Sequence, residues 1–125
     1  MSKIKKRNEL IKICNELRKS NKKIGFTSGA FDIIHAGHVD YLKRAKKECD
    51  ILIVGLNTDN SIKKYKSKNR PINSEKDRLK VISSLLFIDY VFLFDELNNN
   101  VNIELLKPHF YIKAGDYNEN ELTSK

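Results

Sequence analysis

The chain has 125 residues, of which 40% are apolar and 32% charged, with two cysteines and a formal net charge of +8. These values are typical of one soluble globular domain, and they exclude a disulfide scaffold, a collagen-like repeat and a zinc finger. No apolar run approaches the roughly 18–20 residues that cross a bilayer, and the N-terminus lacks the apolar core of a secretory signal. We therefore expect a cytoplasmic protein with free thiols and no membrane partner.

Almost all of the positive charge lies at the N-terminus. Residues 1–23 carry nine Lys or Arg against two Glu, so the rest of the chain is nearly neutral. Apolar residues from Ile4 to Leu17 recur at helical spacing, which predicts a basic amphipathic helix over residues 1–21. The alternative, a nucleic-acid-binding arm, would need aromatic residues to stack on bases, and the stretch has none, so nucleic acid is not expected as a partner.

The rest of the chain alternates between short apolar runs, which predict strands, and segments with helical periodicity. This alternation predicts an α/β fold in which helices cover both faces of a parallel sheet. A polar, Lys-rich loop is predicted over residues 63–73. In chain order the predicted elements are a strand over 23–27, a helix over 37–49, a strand over 50–57, a helix over 74–87 capped by Ser74, a strand over 89–94, a helix over 101–106 and a strand over 110–113.

The turn from Thr27 to His38 lies between a predicted strand and a predicted helix, where backbone N–H groups and the helix dipole favour a bound phosphate. Its glycines, Gly29 and Gly37, allow close approach of a ligand. His35 and His38 can donate hydrogen bonds to phosphate oxygens and stabilise charge during phosphoryl or nucleotidyl transfer. In the structural alternative, one histidine caps the helix and the other is buried and neutral. The agreement of strand, glycines and helix start favours the functional interpretation.

Residues 29–38, Gly-Ala-Phe-Asp-Ile-Ile-His-Ala-Gly-His, resemble the G-x-F-D-x-x-H-x-G-H signature of the cytidylyltransferase-like nucleotidyltransferase superfamily. Residues 57–66, 70–73 and 113–117 are similar to the bacterial enzymes that adenylylate D-glycero-β-D-manno-heptose 1-phosphate, the ADP-heptose synthases. The resemblance covers residues 22–125. It implies a single nucleotidyltransferase domain with a Rossmann-like doubly wound parallel sheet. The implied reaction transfers AMP from ATP to a heptose 1-phosphate, releases pyrophosphate, and serves lipopolysaccharide or capsule precursor biosynthesis.

The resemblance also implies where the nucleotide binds. Catalysis is expected from His35, His38 and Lys66, which would hold the triphosphate and stabilise the charge of the transition state. Further contacts to the nucleotide are expected from the turn itself: Ser28, Gly29, Ala30, Phe31, Asp32 and Gly37.

The acceptor sugar phosphate is expected to contact Asp32, Lys63, Lys64 and Asp116. Mg²⁺ is expected with the triphosphate, held by phosphates and water, and no protein metal site is expected. Related enzymes are commonly dimeric, so a homodimer is expected. Arg70 and Arg78 either contact substrate or pair with carboxylates, whereas His109 is not expected in the site.

Two alternatives stay open. A glycerol-3-phosphate-type cytidylyltransferase performs the same class of reaction, although residues 70–73 and 113–117 favour the heptose enzymes. The superfamily also carries a C-terminal Ser/Thr-rich turn that contacts the nucleotide, and the sequence reaches Lys125 without it. We therefore expect a truncated chain, a contact supplied from elsewhere, or a nucleotide-binding module without turnover.

Overall fold

The computed structural model describes residues 2–67 and 69–113. Within these residues four strands form one sheet: β1 (Ile24–Gly29), β2 (Ile51–Asn57), β3 (Tyr90–Phe94) and β4 (Phe110–Ile112). All neighbouring pairs are parallel, and the strand order is β3-β2-β1-β4. The four predicted strands and their parallel pairing are therefore confirmed.

The described ranges also contain five helices: α1 (Arg7–Lys19), α2 (Ala36–Lys47), α3 (Asp59–Tyr65), α4 (Glu75–Ser83) and α5 (Asn100–Leu106). Side chains of β2 alternate between the two faces of the sheet, as strand geometry requires. Ile53 faces a cluster that includes residues of α1 and α5, and Leu52 and Val54 face a second cluster with residues of α2 and α4. Both faces are thus covered, which confirms the doubly wound α/β fold.

The N-terminal helix is shorter than predicted. It begins at Arg7, and the residues before it are extended along the edge strand β3. The N–H of Lys5 donates to the carbonyl of Val91 at 3.0 Å, and the N–H of Val91 donates to the carbonyl of Lys3 at 3.0 Å. Ile4 therefore belongs to the sheet edge, where unpaired backbone groups of an edge strand need partners.

The helix predicted over residues 74–87 ends at Ser83. Ser74 caps it as predicted, because its side chain accepts a hydrogen bond from the N–H of Asp77. At the other end the hydroxyls of Ser83 and Ser84 both donate to the carbonyl of Lys80, at 3.2 and 2.7 Å. Such side-chain bonds to the last turn compete with continuation of a helix.

The prediction of a loop over residues 63–73 is wrong for the first part of that range, because α3 extends to Tyr65 and includes Lys63 and Lys64. Thr58 caps this helix by accepting a hydrogen bond from the N–H of Ser61 at 3.2 Å. Ile62 is fully buried and anchors the helix to the domain. The signal was present in the sequence, since a threonine followed by an acidic residue is a common helix start.

Candidate active site

An open cavity of about 700 Å³ lies beyond the carboxyl end of β1. Its wall is formed by the turn after β1, the first turn of α2 and the segment that follows α3. This is the edge of a parallel sheet where ligands are expected. Among the predicted site residues the cavity is lined by Ser28, Gly29, Ala30, Phe31, Asp32, His38 and Lys66.

Phe31 shapes the turn after β1. Its backbone has a φ of 48°, in the left-handed region that a phenylalanine rarely adopts, and its ring is nearly buried. The ring packs over Gly29, where a Cβ atom would lie 2.9 Å from Cε2 of Phe31. It also contacts the His38 ring edge-on, with ring centroids 5.5 Å apart. Gly29 is thus required for the packing that supports His38.

His35 and His38 cap the start of α2 through their Nδ1 atoms. Nδ1 of His35 accepts from the N–H of Gly37 at 3.0 Å, and Nδ1 of His38 accepts from the N–H of His35 at 3.1 Å. The ring centroids are 4.1 Å apart. Gly37 permits this arrangement, since a Cβ there would lie 2.8 Å from Cε1 of His35. Because an accepting Nδ1 carries no proton, each neutral ring carries its proton on Nε2.

The environment keeps His38 neutral. Burial lowers the pKa of His38, and electrostatic interactions with the neighbouring His35 ring and with the Lys66 ammonium lower it further. The capping bond acts in the same direction, since a proton on Nδ1 would displace the N–H of His35. Capping and donation use different nitrogens of the same ring, so the structural and functional interpretations of this pair are compatible.

Asp32 joins the histidine turn to residues 70–73. Its Oδ2 accepts from the N–H of Ile72 at 2.8 Å and its Oδ1 from the N–H of Asn73 at 2.8 Å, while the Asn73 side chain donates to the Asp32 carbonyl. Arg70 lies 3.7 Å from Oδ2. Burial alone would raise the pKa of Asp32, but the hydrogen bonds from Asn73 and Ile72 and the nearby arginine charges hold it below its usual value.

Arg78 is structural. The side chain is 1% exposed and donates to the carbonyls of Ala30 at 2.9 Å and Asn57 at 2.7 Å. It also donates to the carbonyl of Asn73 at 3.1 Å and pairs with Asp59 at 2.7 Å. One guanidinium thus ties together the ends of β1 and β2 and the start of α4. Of the two possibilities for Arg78, pairing within the fold is the one observed.

The cations near the cavity differ in placement. Lys66 and Arg70 line the cavity, and the Arg70 side chain is 45% exposed. Lys63 and Lys64 are exposed on the last turn of α3 and do not line it.

Other predicted residues lie beside or outside this wall. His35 and Gly37 are in the adjoining turn, and Asp116 lies outside the described residues. His109 accepts the N–H of Ile24 at the opposite end of β1, at 2.9 Å, away from the cavity as expected.

Among the residues that the structure describes, four that line the cavity were not assigned to the site from the sequence: Ile33, Tyr65, Ser67 and Arg70. Arg70 lies in residues 70–73, which resemble the heptose enzymes, so the sequence did contain a signal for this position. The hydroxyl of Tyr65 donates to Oδ1 of Asn57 at 3.3 Å. The next residue, Lys66, was predicted in the site. Tyr65 was not, because its place in the cavity depends on α3 ending at this point, which the sequence analysis did not predict.

Within residues 2–67 and 69–113, no cluster of three or more His, Cys, Asp or Glu could hold a metal ion. The same residues contain no helix with the length and apolar character that crossing a membrane requires.

Comparison with known proteins identifies the family. Residues 26–121 match the family described as cytidylyltransferase-like. The chain is 47% identical over 116 residues to the bifunctional protein HldE of Aliarcobacter butzleri, covering 93% of this chain and 24% of that protein. It is 48% identical over 120 residues to HldE of Campylobacter concisus, covering 96% and 25%. The chain therefore spans about a quarter of the length of these relatives.

Solved structures give the same result. The lipopolysaccharide core biosynthesis protein from Thermoplasma volcanium has a TM-score of 0.65 and 30% identity, over 80% of this chain and 82% of that one. Pantoate-beta-alanine ligase from Francisella tularensis, complexed with Beta-gamma ATP and beta-alanine, has a TM-score of 0.56 and 28% identity, over 74% and 35%. These matches confirm the resemblance read from the sequence: the chain belongs to the cytidylyltransferase-like family.

Proposed function

We propose that this domain transfers AMP from ATP to a sugar 1-phosphate, with a heptose 1-phosphate as the first candidate, and releases pyrophosphate. The single observation that carries the proposal is the pair of histidines at the start of α2. Their Nδ1 atoms are used for capping, which leaves the Nε2–H groups as donors. His38 lines the cavity together with Lys66 and Arg70, and the His35 ring lies beside it, with ring centroids 4.1 Å apart.

In this reaction an oxygen of the acceptor phosphate attacks the α-phosphorus of ATP. A new phosphorus–oxygen bond forms, and the bond to the bridging oxygen breaks, so that pyrophosphate leaves with the electron pair. Both reactants are polyanions, and catalysis depends on positioning and on stabilising negative charge.

The histidines suit this task because they donate without being cationic. Neutral Nε2–H groups in fixed positions can bond to phosphate oxygens whose charge increases in the transition state. Lys66 supplies a mobile positive charge for the triphosphate. Gly29 allows the backbone of the turn after β1 to approach the same phosphates, and the dipole of α2 favours negative charge near the start of that helix.

Arg70 is proposed to meet the phosphate of the acceptor. It lines the cavity, whereas Lys63 and Lys64, expected there from the sequence, lie on the exposed side of α3. A guanidinium presents two parallel donors that match a phosphate. Asp32 is proposed to position this arginine and residues 70–73, because its carboxylate oxygens accept backbone N–H groups. The role of Asp116 at the acceptor stays a prediction.

Mg²⁺ would enter with the triphosphate and neutralise part of its charge. The residues of the cavity fit an ion held mainly by phosphates and water. Asp32 contributes the acidic side chain of the described lining, and its oxygens are already occupied by hydrogen bonds.

The names of the relatives support the choice of substrate class. The curated relatives are HldE proteins, and one structural neighbour is named a lipopolysaccharide core biosynthesis protein. The name of another neighbour includes a complex with Beta-gamma ATP, which supports ATP as the donor. Sequence similarity to the heptose enzymes at residues 57–66 and 70–73 agrees with these names.

The test is pyrophosphate release by the 125-residue chain, measured with ATP or CTP and with heptose 1-phosphate, glucose 1-phosphate or glycerol 3-phosphate. We expect turnover with ATP and a sugar 1-phosphate. Turnover restricted to CTP and glycerol 3-phosphate would show a glycerol-3-phosphate-type cytidylyltransferase. Nucleotide binding without turnover on any acceptor would show a binding module and contradict the proposal.

A further inference from the structure

The Ser28 side chain lies between the cavity and Asn99. Ser28 lines the cavity and is 9% exposed. Its Oγ accepts a hydrogen bond from Nδ2 of Asn99 at 2.6 Å, and no residue in the described part of the chain accepts the hydroxyl proton. That proton is therefore available to an acceptor atom in the cavity.

The side-chain hydrogen bonds of Asn99 do not cap the helix that follows it. It precedes α5 at the position where an asparagine usually caps the helix, yet its side chain makes no capping bond. Instead Nδ2 also donates to the Tyr111 hydroxyl at 3.0 Å, and Oδ1 accepts from Nδ2 of Asn102 at 3.0 Å. The amide of Asn99 is thus fixed across the gap between α5, β4 and Ser28.

The direction of these bonds is set by Arg7. A guanidinium can only donate, so Arg7, which donates to Asn102 at 2.8 Å, must face the Oδ1 of that amide. Nδ2 of Asn102 then faces Oδ1 of Asn99, and Nδ2 of Asn99 must face Ser28. Arg7 itself is held by both carboxylate oxygens of Glu96, at 2.9 and 3.0 Å. Asn102 is fully buried, which excludes water as a competing partner.

We propose that Asn99 is a positioning residue that keeps the Ser28 hydroxyl oriented as a donor to an anionic oxygen of the bound nucleoside triphosphate. The proposal rests on the proposed function, which places that nucleotide in the cavity. A hydroxyl oxygen that accepts a hydrogen bond from an amide becomes a stronger donor through its own O–H group. The Asn99 side chain cannot accept that proton, because the atom facing Ser28 is Nδ2 and Oδ1 faces Asn102. Through Arg7, helix α1 contributes to the site although it lies outside the cavity wall.

The test reverses the bond at Asn99. In Asn99→Asp the carboxylate has the same shape but only accepts, so the Ser28 hydroxyl turns towards it and presents lone pairs to the phosphate. We expect the affinity for ATP with MgCl₂, measured by isothermal titration calorimetry, to fall about 10- to 100-fold, the range for a lost hydrogen bond to a charged group.

The control for added charge is Asn98→Asp, one residue away. Oδ1 of Asn98 accepts the N–H of Asn100 at 3.0 Å, and an aspartate would accept it equally well. This variant places the same negative charge in the same loop and leaves Ser28 untouched. The effect of the reversed hydrogen bond is therefore the loss of ATP affinity in Asn99→Asp relative to the loss in Asn98→Asp.

The decisive measurement is the coupling to Ser28. In a Ser28→Ala background, Asn99→Asp should weaken ATP binding no more than Asn98→Asp does. Equal losses with and without the hydroxyl would overturn the inference. If Asn99→Asp does not fold, Arg7→Gln decides by the same criterion, because glutamine can donate or accept and no longer fixes the amides. If the unmodified chain does not bind ATP with MgCl₂, the proposed function fails and this inference fails with it.

Discussion

His35 and His38 are linked by a hydrogen bond from the backbone N–H of one to the ring Nδ1 of the other, at 3.1 Å. The histidine that caps α2 is thus itself held by the residue three positions later. This reciprocal arrangement fixes both rings and leaves their Nε2 atoms for a ligand. It also separates the structural role of His38 from its proposed chemical role, which makes the two experimentally distinguishable.

Two substitutions at His38 should separate those roles. The amide oxygen of His38→Asn can replace Nδ1 as acceptor for His35, but no donor replaces Nε2–H. We expect stability close to that of the unmodified chain and a loss of about 10²–10³-fold in kcat, the effect of removing one transition-state donor. Denaturant unfolding measures the stability, and the rate of pyrophosphate release measures kcat. Unchanged turnover in His38→Asn would contradict the proposed role.

His38→Gln is the complementary variant, because its amide nitrogen can replace the Nε2 donor while the capping acceptor is lost. We expect partial retention of kcat together with a loss of about 0.5–2 kcal/mol in the free energy of unfolding, the usual cost of a lost cap. His109→Asn is the control, since His109 lies at the far end of β1 and should leave kcat unchanged.

Stability should fall as the pH drops below 6.5. Burial, followed by nearby positive charge, lowers the pKa of both His38 and His109 from the usual 6.5. Between the folded and unfolded pKa values the unfolded chain binds more protons, so the free energy of unfolding rises with pH. The stabilisation from these two histidines is fully present above pH 6.5, and it is lost as the pH falls through their pKa values in the folded chain.

Urea unfolding measured from pH 7.5 to pH 5 tests this dependence. His38→Asn and His109→Asn should each flatten the profile, and the double variant should flatten it further. The carboxylate of Asp32, whose pKa is lowered from 3.8, titrates below this range. A profile that keeps its full slope in the double variant would exclude both histidines as its source.

Arg78→Met should destabilise the fold strongly. The substitution leaves the carbonyls of Ala30 and Asn57 without their donor and Asp59 without its partner. Breaking a buried charged network of this kind costs about 3–5 kcal/mol in the free energy of unfolding. Lys76→Ala, at an exposed position of the same helix, should change it by less than about 0.5 kcal/mol. Comparable effects of the two variants would contradict the structural role of Arg78.

The strands and the histidine turn could be predicted from sequence because their signals are local. A strand buried on both faces is a continuous apolar run, as in β2, and the turn after β1 combines glycines and histidines at fixed spacing. The role of Arg78 could not be assigned, because its guanidinium bonds to backbone carbonyls 5, 21 and 48 residues away and to the Asp59 carboxylate, 19 residues away. Ile4 was misplaced for a similar reason, since its partner strand β3 is remote in sequence.

The cations were predicted in part. The Lys-rich stretch after β2 indicated charge near the site, but only the helical geometry of α3 shows that Lys66 faces the cavity and that Lys63 does not. Spacing along a presumed loop carries no information about direction, whereas a helix turns each successive side chain by a fixed angle.

That difference in placement leads to a graded expectation for three single variants. Lys66→Ala should raise the KM for ATP about 10- to 100-fold, because a charge-assisted hydrogen bond to phosphate contributes roughly 1.5–3 kcal/mol. Arg70→Ala should act mainly on the KM for the sugar phosphate. Lys63→Ala is the matched control, since it removes an identical charge from the exposed side of α3 and should change either KM by less than about threefold, as exposed charges do. Steady-state kinetics with each substrate varied in turn resolves the three. If Lys63→Ala raises the sugar phosphate KM as much as Arg70→Ala does, the acceptor phosphate lies over α3, and our placement of it beside Arg70 is wrong.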